Sequence, residues 1–154
     1  MEELHFKIKN ALVKMDFIRR YEELSAHFSS ERTSSSERLI YVERDEVMDM
    51  IRDLGYSPLF HAREKFYKIK EEQFDTFTFG FHIILRDGMA DLVWVVRENG
   101  ELLLNTPWGV YSRRLIDVNY RIKKPVFGTY EDLEDILQTA FGMYEDFKLA
   151  FTRF

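Results

Sequence analysis

The chain predicts an α+β domain, an antiparallel β-meander of about four to five strands flanked by N-terminal and C-terminal helices. Three observations carry this expectation. Apolar residues recur at helical spacing at both ends of the chain, residues 74–86 alternate apolar and polar, and Asp87-Gly88 and Asn99-Gly100 each fall between two strand patterns. With 154 residues, 45% apolar and 32% charged, the composition suits one globular domain over 1–154 and is wrong for disorder. Aromatic content stands out at 16%, from 14 Phe, 8 Tyr and 2 Trp.

Leu4, Ile8, Ala11, Leu12, Met15 and Ile18 predict a helix over about residues 2–24. A second apolar set, Val13, Phe17, Tyr21, Leu24 and Phe28, is offset around it, so either both sides are buried or the helix bends near Asp16. Residues 29–38 are polar and serine-rich and read as a mobile loop. Leu39–Val42 is a short strand candidate. Val47, Met50, Ile51 and Leu54 then place a helix over about 44–54, with Gly55 at its left-handed C-cap and Pro58 beyond.

In the middle, Phe77, Phe79, Phe81, Ile83 and Leu85 point one way, and Thr76, Thr78, Gly80, His82 and Arg86 mostly the other. Strands near 65–71, 74–86, 89–97 and 101–105 make the meander, joined in its later half by two type I′ turns. A one-residue slip would expose the phenylalanines, so the register is well specified. Thr106 can cap a short helix with Pro107 at its first position. Thr129 caps a final helix whose stripe is Leu133, Ile136, Leu137, Ala140, Tyr144, Phe147 and Phe151.

Composition excludes several chemistries. Zero cysteines remove thiolate nucleophiles, disulfides, iron–sulfur clusters and Cys-ligated zinc. The four histidines, His5, His27, His61 and His82, are scattered, and no P-loop, G-x-S-x-G or G-x-G-x-x-G is present. Glu71/Glu72 and Glu131/Asp132 are sequence neighbours, unlike the separated carboxylates of general acid–base catalysis. The expectation is a protein that is not an enzyme, with no cofactor and no metal. No stretch approaches the ~20 apolar residues of a membrane span, and MEELHFKIKN lacks a signal-peptide core. A cytoplasmic location and no membrane partner are expected.

Charge is uneven. Residues 129–146 hold six acids (Glu131, Asp132, Glu134, Asp135, Glu145, Asp146) and no base, so of 27 acids and 22 bases the rest of the chain keeps 21 against 22. Just before it, residues 113–124 hold Arg113, Arg114, Arg121, Lys123 and Lys124 against Asp117. Two acids in a first turn answer the helix dipole at ~0.3–1 kcal/mol each. Glu131, Asp132, Glu134 and Asp135 exceed that need, and an acidic surface steers a basic partner. Trp108 and Tyr111, at the start of the short helix, are either a core edge or an exposed binding anchor. Trp94, in mid-strand, is core. For 111–124, aromatics among cations suit single-stranded nucleic acid. The plainer reading is a basic face meeting the acidic helix beside it. Together, Glu131, Asp132, Glu134, Asp135, Trp108, Tyr111, Thr78 and His82 form the predicted partner-binding surface.

Pro107-Trp108-Gly109 and Thr129-Tyr130-Glu131-Asp132-Leu133, in the order helix, helix, meander, helix, helix, resemble the small immunity proteins of bacterial polymorphic toxin systems, of the Rhs or contact-dependent growth inhibition kind. The resemblance covers about residues 45–150 in pattern. It implies a non-catalytic inhibitor that binds a cognate toxin domain, a basic nuclease being one possible partner, and acts as a monomer or weak homodimer. Two competing expectations remain: an acidic, dimeric secretion chaperone holding an effector segment, and single-stranded nucleic-acid binding through 111–124. The immunity reading itself expects no nucleic-acid partner.

Overall fold

Asp16 decides the N-terminal architecture. In the computed structural model, which describes residues 3–153, this residue adopts a left-handed conformation (φ 61°). It divides the expected single helix into α1 (Phe6–Lys14) and α2 (Phe17–His27). The bend assigns the two apolar sets to two helices: Ile8, Ala11 and Leu12 are buried from α1, and Phe17, Tyr21 and Leu24 from α2. Val13, placed in the second set by spacing, is exposed. Glu2, the expected first helical residue, lies outside the described residues.

Next comes α3 (Arg44–Asp53), and Gly55 stands after it at φ 96°, as its C-cap position requires. Six strands then form one antiparallel sheet: β1 (Pro58–His61), β2 (Phe66–Ile69), β3 (Glu72–Phe74), β4 (Phe77–Arg86), β5 (Met89–Glu98) and β6 (Glu101–Leu104). The order is β1-β2-β4-β5-β6, with β3 also paired to β4. Asp87, Gly88, Asn99 and Gly100 all have positive φ, as two-residue I′ turns demand. β1 and β3 exceed the expected strands, and Leu39–Val42 is not a strand. Its Leu39 N–H reaches Phe127 O at 3.1 Å, but Ile40 and Tyr41 are exposed and find no ladder.

A register shift separates β2 from β3. Lys68 pairs His82 and Glu72 pairs Phe79, so four steps along one side match three along the other. That one-residue bulge near Lys70–Glu71 reverses the facing of the β3 residues beyond it. Glu72 therefore shares a face with Phe79, and the Glu71 side chain lies against Gly80 with Cγ 3.3 Å from where a Cβ would stand.

The helices collect on the face of β4 that carries Phe77, Phe79, Phe81 and Ile83. Trp94 sits opposite Phe81 at the centre and touches Phe17 of α2 at 5.7 Å, Trp108 at 5.0 Å and Phe147 at 4.7 Å between ring centres. α4 (Trp108–Leu115) starts one residue later than expected, with Pro107 at the N-cap, and the Thr106 hydroxyl is buried without a partner. α5 (Tyr130–Thr152) buries the whole predicted stripe, and Thr129 Oγ accepts from Asp132 N at 3.0 Å as its cap. The 16% aromatic content is thus largely core; fully burying one such ring contributes ~1.5–3 kcal/mol.

Candidate partner-binding surface

Three of the six acids on α5 are occupied by the fold. Asp132 accepts from Gly128 N at 3.4 Å and pairs with Arg32 at 3.1 Å. Asp146 pairs with Arg20 of α2 at 2.8 Å. Glu145 meets Lys148 at 2.8 Å and accepts the Tyr56 hydroxyl. Lys148 also binds Glu72 at 2.7 Å, and Tyr144 donates to Glu72 at 3.2 Å, so the inward turn of Glu72 at the bulge ties β3 to α5. Burial first, and then the nearby Glu72, push the Tyr144 hydroxyl far above its ordinary range. The remaining acids, Glu131, Glu134 and Asp135, are exposed and make no ion pair among the described residues. Asp132, predicted with them as a contact, has a structural duty instead.

A second acidic helix lies beside them. Glu43 N, at the start of α3, donates to the Tyr130 hydroxyl at 2.9 Å, while Tyr56, just past the end of α3, packs against Phe141 of α5 with tilted rings whose centres are 4.4 Å apart. The two helices therefore run in the same direction with their N-termini together. α3 adds Asp45, Glu46, Asp49 and Asp53 against Arg44 and Arg52. Across α3 and α5 there are ten acids and three bases, a net of −7; the rest of the chain, with 17 acids and 19 bases, is net +2. Of these bases Arg52 is paired with Asp49, Lys148 with Glu72 and Glu145, and Arg44 lies over the Phe60 ring at 4.0 Å. The α3 acids were missed in the sequence because only the helix–helix contact, not their spacing, brings them to α5.

The other predicted contacts do not join this surface. Trp108 and Tyr111 are buried at 1% and 0% exposure, which settles their two readings in favour of core. Tyr111 has a second job: its hydroxyl accepts from Trp94 N at 3.0 Å and donates to Trp94 O at 3.2 Å. It thereby completes backbone pairing that no neighbouring strand supplies on that side of β5. Burial pushes this hydroxyl far above its ordinary pKa. Thr78 and His82 point to the opposite side of β4 from the helices by strand alternation, facing Arg97 and Val93 across the ladder. His82 is half-buried beside the Phe66 ring at 4.7 Å, and burial, then Lys68, lowers its pKa. The eight predicted residues therefore divide among an outer helical surface, the core and the far side of the sheet.

Nor does the basic run lean on the acidic helix. Among the described residues its one ion pair is Lys124 with Asp91 at 3.4 Å, and none of its cations pairs with Glu131, Glu134 or Asp135. With Tyr111 in the core, the half-buried Tyr120 is the aromatic of the run left for the stacking that the single-strand reading needs. The serine-rich segment has contacts that a free loop lacks. Thr33 is buried, Arg32 reaches Asp132, and Ser35–Glu37 form a 3₁₀ turn. A Cβ at Gly128 would stand 2.8 Å from Glu37 O and 2.9 Å from Thr33 Cγ2, so this segment closes directly onto the residue before the α5 cap.

Among the described residues, no group of three His, Cys, Asp or Glu side chains could hold a metal, and no helix is long and apolar enough to cross a membrane. Comparison with family models, with curated proteins and with solved structures finds no match.

Proposed function

We propose that this chain is a non-catalytic inhibitor that binds and neutralises a cognate bacterial toxin domain, an immunity protein, through the paired acidic helices α3 and α5. The observation that carries the reading is the exposed, unpaired set Glu131, Glu134 and Asp135 beside the acids of α3. Like charges gathered without cations repel one another, and a basic partner relieves that repulsion while its field accelerates encounter. An inhibitor of this kind needs no chemistry of its own. It needs a rigid surface, and the dense aromatic layer beneath α5 supplies rigidity. A toxin that grips nucleic acid presents the complementary basic groove. The protein would act in the cytoplasm, where such toxins meet their targets.

The test is co-expression with the C-terminal domain encoded immediately upstream. Growth arrest that this chain relieves, through a stoichiometric complex with the folded domain, supports the proposal. A harmless upstream product, or one bound only as an unfolded segment by an obligate dimer, overturns it in favour of a secretion chaperone.

A further inference from the structure

A group of cations outside the acidic helices gathers around a cleft. This cleft, of about 540 Å³, lies between the end of α2, the β4–β5 turn and residues 122–126. Its volume falls within the ~300–1,000 Å³ usual for small-ligand sites. Arg38, Lys123 and Lys124 line it together with the hydroxyl-bearing Ser25, Ser29 and Ser30. A second cleft of about 260 Å³ adjoins it through the shared Ile122 and Lys124, and brings Arg113, Arg121 and Asp91. Five cations thus face one acid, and that acid is paired with Lys124.

Arg38 and Arg113 carry the argument furthest. The Nε–H of each, like that of Arg114 outside both clefts, is shut off from solvent and has no acceptor among the described residues. A buried donor left without an acceptor destabilises the chain until one reaches it. The terminal nitrogens of a guanidinium, unlike an Nε closed off from solvent, can chelate an oxyanion from the cleft with two parallel bonds. The Arg38 stem lies flat on the β4–β5 turn: a Cβ at Gly88, itself at φ 72°, would come within 2.6 Å of Arg38 Cβ. The turn holds Arg38 at the cleft only because residue 88 is glycine.

The walls are preformed. Val126 N donates to Phe28 O at 2.8 Å, Phe127 N to Gly88 O at 2.8 Å, Ala90 N to Pro125 O at 3.0 Å and Leu39 N to Phe127 O at 3.1 Å. These four bonds tie every segment that lines the larger cleft, so a ligand need not order it. The lining also has an apolar side, Ala26, Met89, Ile122 and Val126, and no aromatic ring on which a nucleobase could stack.

We infer that this cleft is a binding site for a small phosphate monoester with an apolar, non-aromatic body, its phosphate held by Arg38 and Lys123 and its body lying on Met89, Ile122 and Val126. The site is independent of the acidic helices and of the toxin reading. Calorimetric titration of the full chain at low salt with n-hexyl phosphate, with inorganic phosphate, and with phosphatidylcholine vesicles containing phosphatidic acid tests it.

The expected result is that hexyl phosphate binds more tightly than inorganic phosphate and that Lys123→Glu weakens it about tenfold or more, as loss of a charge-assisted contact requires. Arg38→Lys, which keeps the stem on Gly88 but removes the fork, weakens it too; Glu134→Lys leaves it unchanged. Binding confined to the phosphatidic-acid vesicles, and lost with Lys123→Glu, supports the same site with a lipid as the source of the phosphate. Equal affinity for hexyl and inorganic phosphate overturns the apolar part of the assignment. No heat from any probe, or binding that survives Lys123→Glu in a chain with native circular dichroism, overturns the site.

Discussion

The starts of α4 and α5 were both expected to touch a partner, and the structure treats them in opposite ways. At α4, Trp108 and Tyr111 turn inward and close the core around Trp94. At α5, Glu131, Glu134 and Asp135 stay in water while Asp132 holds the cap together. Both stretches carry residue types found at interfaces. The difference lies in what each side chain gains by turning inward. An indole or phenol gains burial of a large apolar area and, for Tyr111, two backbone hydrogen bonds; a carboxylate gains burial only where a cation or N–H awaits it. Aromatics in a chain this rich in them therefore point first to the core. Acids in excess of the available caps and cations point to the surface.

The largest effect that would break this contrast is at Trp108. Trp108→Ala is expected to cost about 3–5 kcal/mol by leaving a large cavity among Phe17, Tyr21 and Trp94. Urea unfolding measures it, and a cost below ~1 kcal/mol would mean that the indole is not core. Lys148→Ala comes next, at about 2 kcal/mol, because it leaves Glu72 and Glu145 as neighbouring carboxylates without their shared cation.

Alkaline stability sharpens the same point without mutation. Tyr111 and Tyr144 keep their protons in the folded chain well past the ordinary value of 10.0, mainly because they are buried. Above that pH the unfolded chain gives up these protons and the folded chain does not. Stability is therefore complete below about pH 10 and falls as pH rises, by about 1.4 kcal/mol per pH unit for each such tyrosine. Urea midpoints at increasing pH read this out, and the share of the phenol absorbance change that belongs to the buried tyrosines should coincide with unfolding. His82 adds a smaller slope of the other sign. Its lowered pKa favours the neutral form in the fold, so its contribution is present above about 6.5 and lost as pH falls below it.

Much of the fold was legible because its determinants are local. The alternation from Phe77 to Leu85 set β4, the Asp-Gly and Asn-Gly pairs set two turns, and the Leu133–Phe151 stripe set α5. The features that escaped are non-local. β1 begins at Pro58, which reads as a helix stop, and gains its strand character only from pairing with β2. The bulge that sends Glu72 to the helices and Glu71 the other way leaves no periodic trace in three residues of β3. For the candidate surface, Glu131, Glu134 and Asp135 were readable from excess charge. Their α3 neighbours were not, because the contact of Glu43 with Tyr130 joins distant parts of the chain. Arg38 reached the basic run in the same way, across the turn at Gly88.

The central claim, that the acidic helical surface and not the aromatic start of α4 meets the partner, is tested most directly by association kinetics. The wild-type chain and Glu131→Lys/Asp135→Lys would be mixed with the domain encoded upstream, at low and at physiological salt. The double variant should stay folded and unfold within about 1–2 kcal/mol of wild type, since both sites are exposed but Glu131 gives up its favourable place in the first turn of α5. The account predicts association slowed about tenfold or more at low salt, with the gap narrowing as salt rises. Equal association rates for the two folded proteins would contradict it.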